Sequence, residues 1–144
     1  MIVTTSILKE KFLECKEKYF KGMKPLPTPR FWVMHGFKIL AQFRCELPSS
    51  RKGKIYLQRI GVTDSFDFDE TMLTNLMVHE MIHYYLYYHK IKDDGEHGEE
   101  FMKIVKRMNN DYGLDIVSEG TYDDLKASPK VSKFRWKLYK FFGK

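Results

Sequence analysis

A five-residue motif inside an apolar segment constrains this chain more than any other feature. Residues 79–83 read His-Glu-Met-Ile-His, an HExxH arrangement, and the surrounding residues 76–88 are otherwise almost entirely apolar or aromatic. Such a composition is typical of a helix that is enclosed on most sides. Four residues of an α-helix correspond to about 400° of rotation and about 6 Å of rise, so His79 and His83 would project from nearly one face. Two imidazoles at this spacing can hold one metal ion, with Glu80 beside them.

Glu80 is the only Asp, Glu, Lys or Arg between Glu70 and Lys90. An ionised carboxylate without a partner in such an apolar environment would cost several kcal/mol. A chance HExxH would rarely also fall within a long helical pattern, and a nearby cation explains the carboxylate. We therefore interpret this segment as a metal site in which Glu80 is the general base that activates a metal-bound water.

A catalytic zinc ion usually takes three protein ligands and keeps one position open for water. His89 stands six residues after His83, but Leu86 occupies the position where a glycine would have to turn the chain back between them. We therefore expect His89 to lie on another face, at the end of the helix, where a cation is tolerated.

His97 is the better candidate for the third ligand. It follows the turn at residues 92–95 and opens a second helical pattern, so two antiparallel helices would bring it back toward the motif. Glu99 and Glu100 remain alternatives, because carboxylates also bind zinc. Their other interpretation is as acidic residues in the first turn of a helix, where the helix dipole favours them.

These residues together resemble a known family. The string Met77-Val78-His79-Glu80-Met81-Ile82-His83, followed by His97-Gly98-Glu99-Glu100-Phe101, is similar to the HExxH and HGxxF pattern of the SprT-like (Spartan-type) zinc metalloprotease family. The resemblance covers residues 8–116 and implies a zincin-like peptidase core. It implies one zinc ion per chain, with His79, His83 and His97 as ligands and Glu80 as the base, and a link to protein substrates bound to DNA.

Cysteine usage departs from many members of that family, which carry a four-cysteine zinc ribbon after the core. This chain has only Cys15 and Cys45 and no CxxC motif, so we expect neither a second zinc site nor a disulfide framework. A reducing, cytoplasmic location fits two separate cysteines and a start without a secretory signal. Glu80 and the histidines around it argue against a membrane span, so no membrane partner is expected.

The predicted fold is a single α+β domain of zincin-like type over residues 1–125. Its elements are an N-terminal helix at 5–20 capped by Thr5 or Ser6, three strands at 31–34, 39–45 and 54–60, the HExxH helix at 69–90, and a return helix at 97–111 that carries the third ligand. Short separations, with His35-Gly36 as the turn between the first two strands, favour an antiparallel sheet.

The charge is unevenly distributed along the chain. Residues 1–59 carry a net charge of +9, residues 60–125 a net charge of −10, and residues 126–144 a net charge of +7. The last segment alternates cations with aromatic residues, which is typical of proteins that bind single-stranded nucleic acid. Its candidate contacts are Lys133, Arg135, Trp136, Lys137 and Lys140. We nevertheless expect this basic aromatic tail to pack on the same domain with a solvated cationic face, as apolar tails usually do, and nucleic-acid contact is the alternative.

The expected function is zinc-dependent hydrolysis of peptide bonds, with protein or peptide substrates and with nucleic-acid-bound proteins as one candidate class. The alternative is a non-catalytic zinc-binding module that binds nucleic acid, such as DNA, through its basic arms. Structural zinc sites usually have four protein ligands, and only three are evident here, which favours the enzyme.

Overall fold

The computed structural model describes residues 1–46, 57–117 and 126–127 of the 144-residue chain. The described residues form three helices and five strands in an α+β arrangement. In chain order these are α1 (Thr5–Tyr19), β1 (Arg30–Met34), β2 (Ala41–Glu46), β3 (Leu57–Thr63), β4 (Phe66–Asp67), α2 (Glu70–Tyr88), α3 (Glu99–Tyr112) and β5 (Lys126–Ala127).

The three-stranded sheet is mixed, so the prediction of an antiparallel sheet is wrong for one of its two pairings. The strand order is β1-β3-β2, with β3 parallel to β1 and antiparallel to β2. Ile60 and Val62 of β3 are fully buried, as expected of a central strand. The long stretch of chain between β1 and β3 allows the parallel pairing, which a tight turn could not.

The turn at His35-Gly36 therefore does not join two paired strands. It packs against the end of β3, where the His35 ring and the Asp64 carboxylate share a hydrogen bond of 2.8 Å. The Gly36 amide donates to the Ser65 hydroxyl at 2.8 Å, and the Thr63 hydroxyl donates to the Gly36 carbonyl at 2.7 Å. His35 is thus a turn residue, as predicted, but these bonds hold the turn beside β3.

Helix α1 begins at Thr5, as predicted, but its N-cap is Thr4 and not Thr5 or Ser6, since the Thr4 hydroxyl accepts from the Ile7 amide at 3.2 Å. Lys11 is buried in the contact with α2, where its ammonium donates to Glu70 at 2.6 Å. The apolar face of α1 packs into the core through Leu8, Phe12 and Cys15.

Helix α2 lies at the centre of the domain, with α1, α3 and β2 packed around it. Asp69 caps its N-terminus by accepting from the Met72 amide at 2.7 Å. The connector after α1 is fixed to it, since Tyr84 donates to the Pro27 carbonyl at 2.9 Å. Enclosure by protein explains why the helix is apolar nearly all round. In the described part of the chain, no helix has both the length and the apolar character needed to cross a membrane.

A small second sheet was missed by the sequence analysis. β4 pairs antiparallel with β5, so residues 126–127 form a strand within a segment predicted to be a polar loop at 118–130. Two-residue strands have no periodicity that a sequence pattern could show. Residues 118–125 and 128–144 lie outside the described residues, and so do the connector at 47–56 and the first residues of the strand predicted at 54–60.

Candidate metal centre

The structure brings together the three histidines that the sequence indicated. His79 and His83 lie one turn apart on α2, and His97 lies in the loop just before α3. Their Nε2 atoms form a nearly equilateral triangle, with separations of 3.3 Å between His79 and His83 and 3.2 Å from each of these to His97. Among the described residues this is the group of side chains that could hold a metal ion.

The triangle fits a tetrahedral metal ion. Ligand nitrogens at about 2.0–2.1 Å from such an ion lie about 3.3–3.4 Å apart, which is close to the observed separations. Three convergent nitrogen donors without a thiolate suit a borderline metal such as zinc. The donor set therefore leaves one tetrahedral position without a ligand from the described part of the chain.

His79 is held in one orientation by a backbone carbonyl. Its Nδ1–H donates to the Val117 carbonyl at 2.8 Å, so its Nε2 presents a lone pair to the other two rings. The segment after α3 that carries this carbonyl is fixed to Asn109, whose side chain donates to the Ile116 carbonyl at 3.0 Å and accepts from the Ile116 amide at 2.9 Å. Partners of this kind set the tautomer and the ring orientation of metal-binding histidines.

Phe101 forms an apolar support beneath all three rings. Its side chain is fully buried and stacks on His83 with ring centres 4.5 Å apart. It meets His79 and His97 edge to face at 5.0 and 4.9 Å. From the sequence, Phe101 was identified only as the last residue of the HGxxF motif, so its contact with every member of the cluster is a finding of the structure.

The histidine cluster disfavours bound protons. Burial lowers the pKa of His83 to about 4, with the neighbouring His79 and His97 rings acting in the same direction. Burial also lowers the pKa of His79, although the hydrogen bond to Val117 opposes this. Since only the neutral imidazole binds a metal, both shifts favour the form that can serve as a ligand.

Glu80 is buried beside the cluster, with 6 % of its surface exposed. Its carboxylate lies 3.9 Å from the His79 Nε2 and accepts a hydrogen bond from the Phe43 backbone amide on β2. Burial raises the pKa of Glu80 to about 8, against the effect of that hydrogen bond. A cation held by the histidines would lower this pKa again, because it favours the carboxylate.

The other candidates do not join this cluster. His89 ends α2, where its Nε2–H donates to the Pro25 carbonyl at 2.8 Å, so it has the structural role predicted for it. Glu99 and Glu100 occupy the first turn of α3, and both carboxylates pair with Lys103. The five residues proposed to contact nucleic acid lie outside the described part of the chain, namely Lys133, Arg135, Trp136, Lys137 and Lys140.

Several residues that support the cluster were missed by the sequence analysis. Val117 is 38 positions from His79 and acts through its carbonyl, so its identity carries no signal. Asn109 lies in the last turn of α3, where an amide side chain indicates only a polar helix face. Phe43 could be found only by knowing that β2 packs on α2, since its backbone amide and not its side chain reaches Glu80.

Comparison with known protein families agrees with the HExxH and HGxxF motifs of the site. The model of the SprT-like family matches residues 8–122, which is most of the chain and includes both helices that carry the histidines. No curated protein matches the chain. The match confirms the family indicated by the HExxH and HGxxF motifs, and the chain belongs to the SprT-like family.

Proposed function

We propose that this protein is a zinc-dependent metallopeptidase with a zincin-like core and one zinc ion per chain. His79, His83 and His97 hold the ion, and Glu80 is the catalytic base. The observation that carries the proposal is the triangle of Nε2 atoms 3.2–3.3 Å apart with a buried carboxylate beside it. Membership of the SprT-like family supports it, because this family indicates a metallopeptidase-like domain.

The chemistry divides between the metal and this chain's side chains. A zinc ion held by the three histidines would supply Lewis-acid chemistry, lowering the pKa of a water to about 7 and polarising a substrate carbonyl. The Glu80 carboxylate accepts a proton from the water whose oxygen bonds to the carbonyl carbon, and delivers that proton to the amine that leaves when the C–N bond breaks. Its position suits this role, because the carboxylate lies 3.9 Å from a ligand nitrogen and is shielded from bulk water. Phe101 and the Val117 carbonyl keep the rings fixed during the reaction.

The position of β2 supports a peptide substrate. Among the described strands, β2 pairs with β3 on one side only. The Phe43 amide on this strand donates to Glu80, so the strand and the base are adjacent. An extended peptide that lies along the side of β2 away from β3 would present its backbone to Glu80 and to the histidines. Nucleic-acid-bound proteins are one candidate class of substrate, because the basic segments at both ends of the sequence could contact phosphates.

The second candidate is a zinc-binding module without catalysis that binds nucleic acid through its basic arms. The observation that favours it is the charge of +9 on residues 1–59 and +7 on residues 126–144. The three-histidine donor set favours the enzyme, since a structural zinc site usually has four protein ligands.

The test combines metal analysis with cleavage of an unfolded protein. Purified protein is reconstituted with zinc, its metal content is measured, and casein is the substrate, with and without DNA. We expect one zinc ion per chain and cleavage that stops when a chelator removes the metal. One zinc ion without cleavage under either condition would favour the binding module, and no zinc after reconstitution would contradict both proposals.

A further inference from the structure

The loop that carries His97 is closed by a side chain that the proposed chemistry does not use. Helix α3 begins after Gly98, which as the N-cap has no side chain to satisfy the free backbone amides of the first turn. The first amides of any helix lack partners within it and need acceptors from elsewhere. In this chain Asp93, five residues before the N-cap, supplies them.

The Asp93 carboxylate accepts hydrogen bonds with both of its oxygens. Oδ1 accepts from the amides of Asp94 and Glu100 at 2.9 Å each, and Oδ2 accepts from the amide of Phe101 at 2.9 Å. The Gly98 amide also donates to this carboxylate. One side chain therefore ties the start of the loop to the first turn of α3, with His97 between the two.

A glycine is required at position 98 because the Asp93 carboxylate lies against it, and not because of its backbone conformation. Its φ is −82°, which any residue adopts. A Cβ added at Gly98 would lie 2.3 Å from the Asp93 Oδ1 and 2.7 Å from the Asp94 backbone nitrogen. Any other residue would push the Asp93 carboxylate and the loop backbone away. The lack of a side chain at Gly98 therefore leaves the space that the carboxylate occupies.

The hydrogen bonds to Asp93 position two parts of the histidine cluster, namely His97 and the supporting Phe101. The Asp93 carboxylate fixes the Gly98 amide, which immediately follows His97 in the chain. The His97 Nε2 lies 3.2 Å from the Nε2 atoms of both His79 and His83. The carboxylate also fixes the amide of Phe101, whose ring supports all three imidazoles. Without the carboxylate, the first turn of α3 would lose the acceptor shared by these amides, and the loop would be free to move the third ring.

We infer that Asp93 is a positioning residue for the metal centre, and that its carboxylate holds the 93–98 loop so that His97 completes the three-nitrogen donor set. This inference rests on the proposed metal site. The carboxylate does not itself touch the metal position, since both oxygens accept backbone amides. Its removal should therefore act on metal affinity and on coordination geometry through His97.

The test compares Asp93→Asn with Asp94→Asn, which makes the same charge change one residue later at an exposed position. Each variant, the unchanged chain and His97→Ala are titrated with Co²⁺ and with Zn²⁺ against a chromophoric chelator, and the visible spectrum of the Co²⁺ form is recorded. Asn keeps one acceptor oxygen and places an amide group where the second must accept, so part of the closure is lost.

We expect Asp93→Asn to weaken metal binding by about 10-fold, the lower end of the range for groups that hydrogen-bond a ligand directly, because Asp93 acts on His97 through the backbone. Its Co²⁺ spectrum should shift toward that of His97→Ala, whereas Asp94→Asn should match the unchanged chain in both measurements. A role in folding alone would lower the unfolding midpoint but leave the affinity and the spectrum of the folded protein unchanged. That result would overturn the inference and leave the proposed function standing.

Two further outcomes are distinguishable. If Asp93→Asn does not fold, Gly98→Ala replaces it, because the added Cβ displaces the carboxylate without removing it. The same loss of affinity and spectral shift are expected, and an unchanged Gly98→Ala spectrum would contradict the inference. If the unchanged chain itself binds no Co²⁺ or Zn²⁺, the proposed metal site fails and the role of Asp93 fails with it.

Discussion

At the scale of single residues, the three histidines differ in what holds them. His79 has a fixed Nδ1 partner in the Val117 carbonyl, and His83 stacks on Phe101. His97 lies outside any helix and depends on its loop. The motif of residues 79–83 is thus built into a rigid helix, while the third donor comes from a segment whose position the rest of the chain must secure.

His97→Ala should abolish tight zinc binding, whereas His89→Ala should not. Loss of one of three nitrogen donors should weaken affinity by more than about 100-fold, since even outer partners account for about 10- to 100-fold. His89 donates to the Pro25 carbonyl and is not part of the histidine cluster, and Glu99 is an exposed member of the first turn of α3. Competition with a chromophoric chelator measures this. A larger effect from Glu99→Ala than from His97→Ala would instead assign a carboxylate ligand.

At the scale of elements, local patterns predicted the helices well and the sheet poorly. The bounds of α2 and α3 agree with the sequence to within two residues, because periodic apolar residues, Asp69 and Gly113 mark them. Gly113 has a left-handed conformation with φ of 67°, as expected of a helix C-cap. Strand order depends on contacts between distant segments, so the insertion of β3 between β1 and β2 had no local signature.

In the candidate site, too, some groups could be predicted from the sequence and others could not. Side chains proposed to act through their own chemistry, such as His79, Glu80 and His97, were identified from residue type, spacing and the family resemblance. Supports that act through backbone groups, such as the Val117 carbonyl and the Phe43 amide, could not. Asp93 had the appearance of an ordinary turn residue, because its role depends on where α3 begins.

Asn109→Ala tests how α3 supports the metal centre. The substitution removes two hydrogen bonds to Ile116, each contributing about 0.5–1.5 kcal/mol, so the free energy of unfolding should fall by about 1–3 kcal/mol. Zinc affinity should also fall, because the Val117 carbonyl next to Ile116 loses its support. Chemical denaturation and zinc competition measure the two effects. Asn110→Ala, at an exposed neighbouring position, is the matched control, and equal zinc affinity in both variants would contradict this role.

At the scale of the whole molecule, charge separates the chain into regions. The segment of residues 60–125, which carries the histidines and Glu80, has a net charge of −10 and lies in sequence between two basic segments. An anionic polymer would be attracted to the two basic segments and repelled by the acidic one. The proposed binding of nucleic acid would therefore use the basic segments, and the proposed catalytic residues lie in the acidic segment.

Nucleic-acid binding should be weak, independent of sequence and sensitive to salt. Affinity should fall with salt with a log–log slope of about −0.7 to −0.9 per phosphate contact. Fluorescence anisotropy with single- and double-stranded oligonucleotides measures it, and the full chain is compared with one that ends at Ser128. The shortened chain lacks Lys133, Arg135 and Trp136 and should bind less tightly. Equal binding by both chains would mean that the tail has no part in it.

The most direct measurement of the central claim is casein cleavage by Glu80→Gln alongside its zinc content. The amide is nearly isosteric with the carboxylate but cannot accept a proton at neutral pH. We expect a folded variant that still holds one zinc ion through His79, His83 and His97 and cleaves no casein under conditions in which the unchanged chain does. Full cleavage by the zinc-loaded variant would contradict the assignment of Glu80 as the base and, with it, the proposed mechanism.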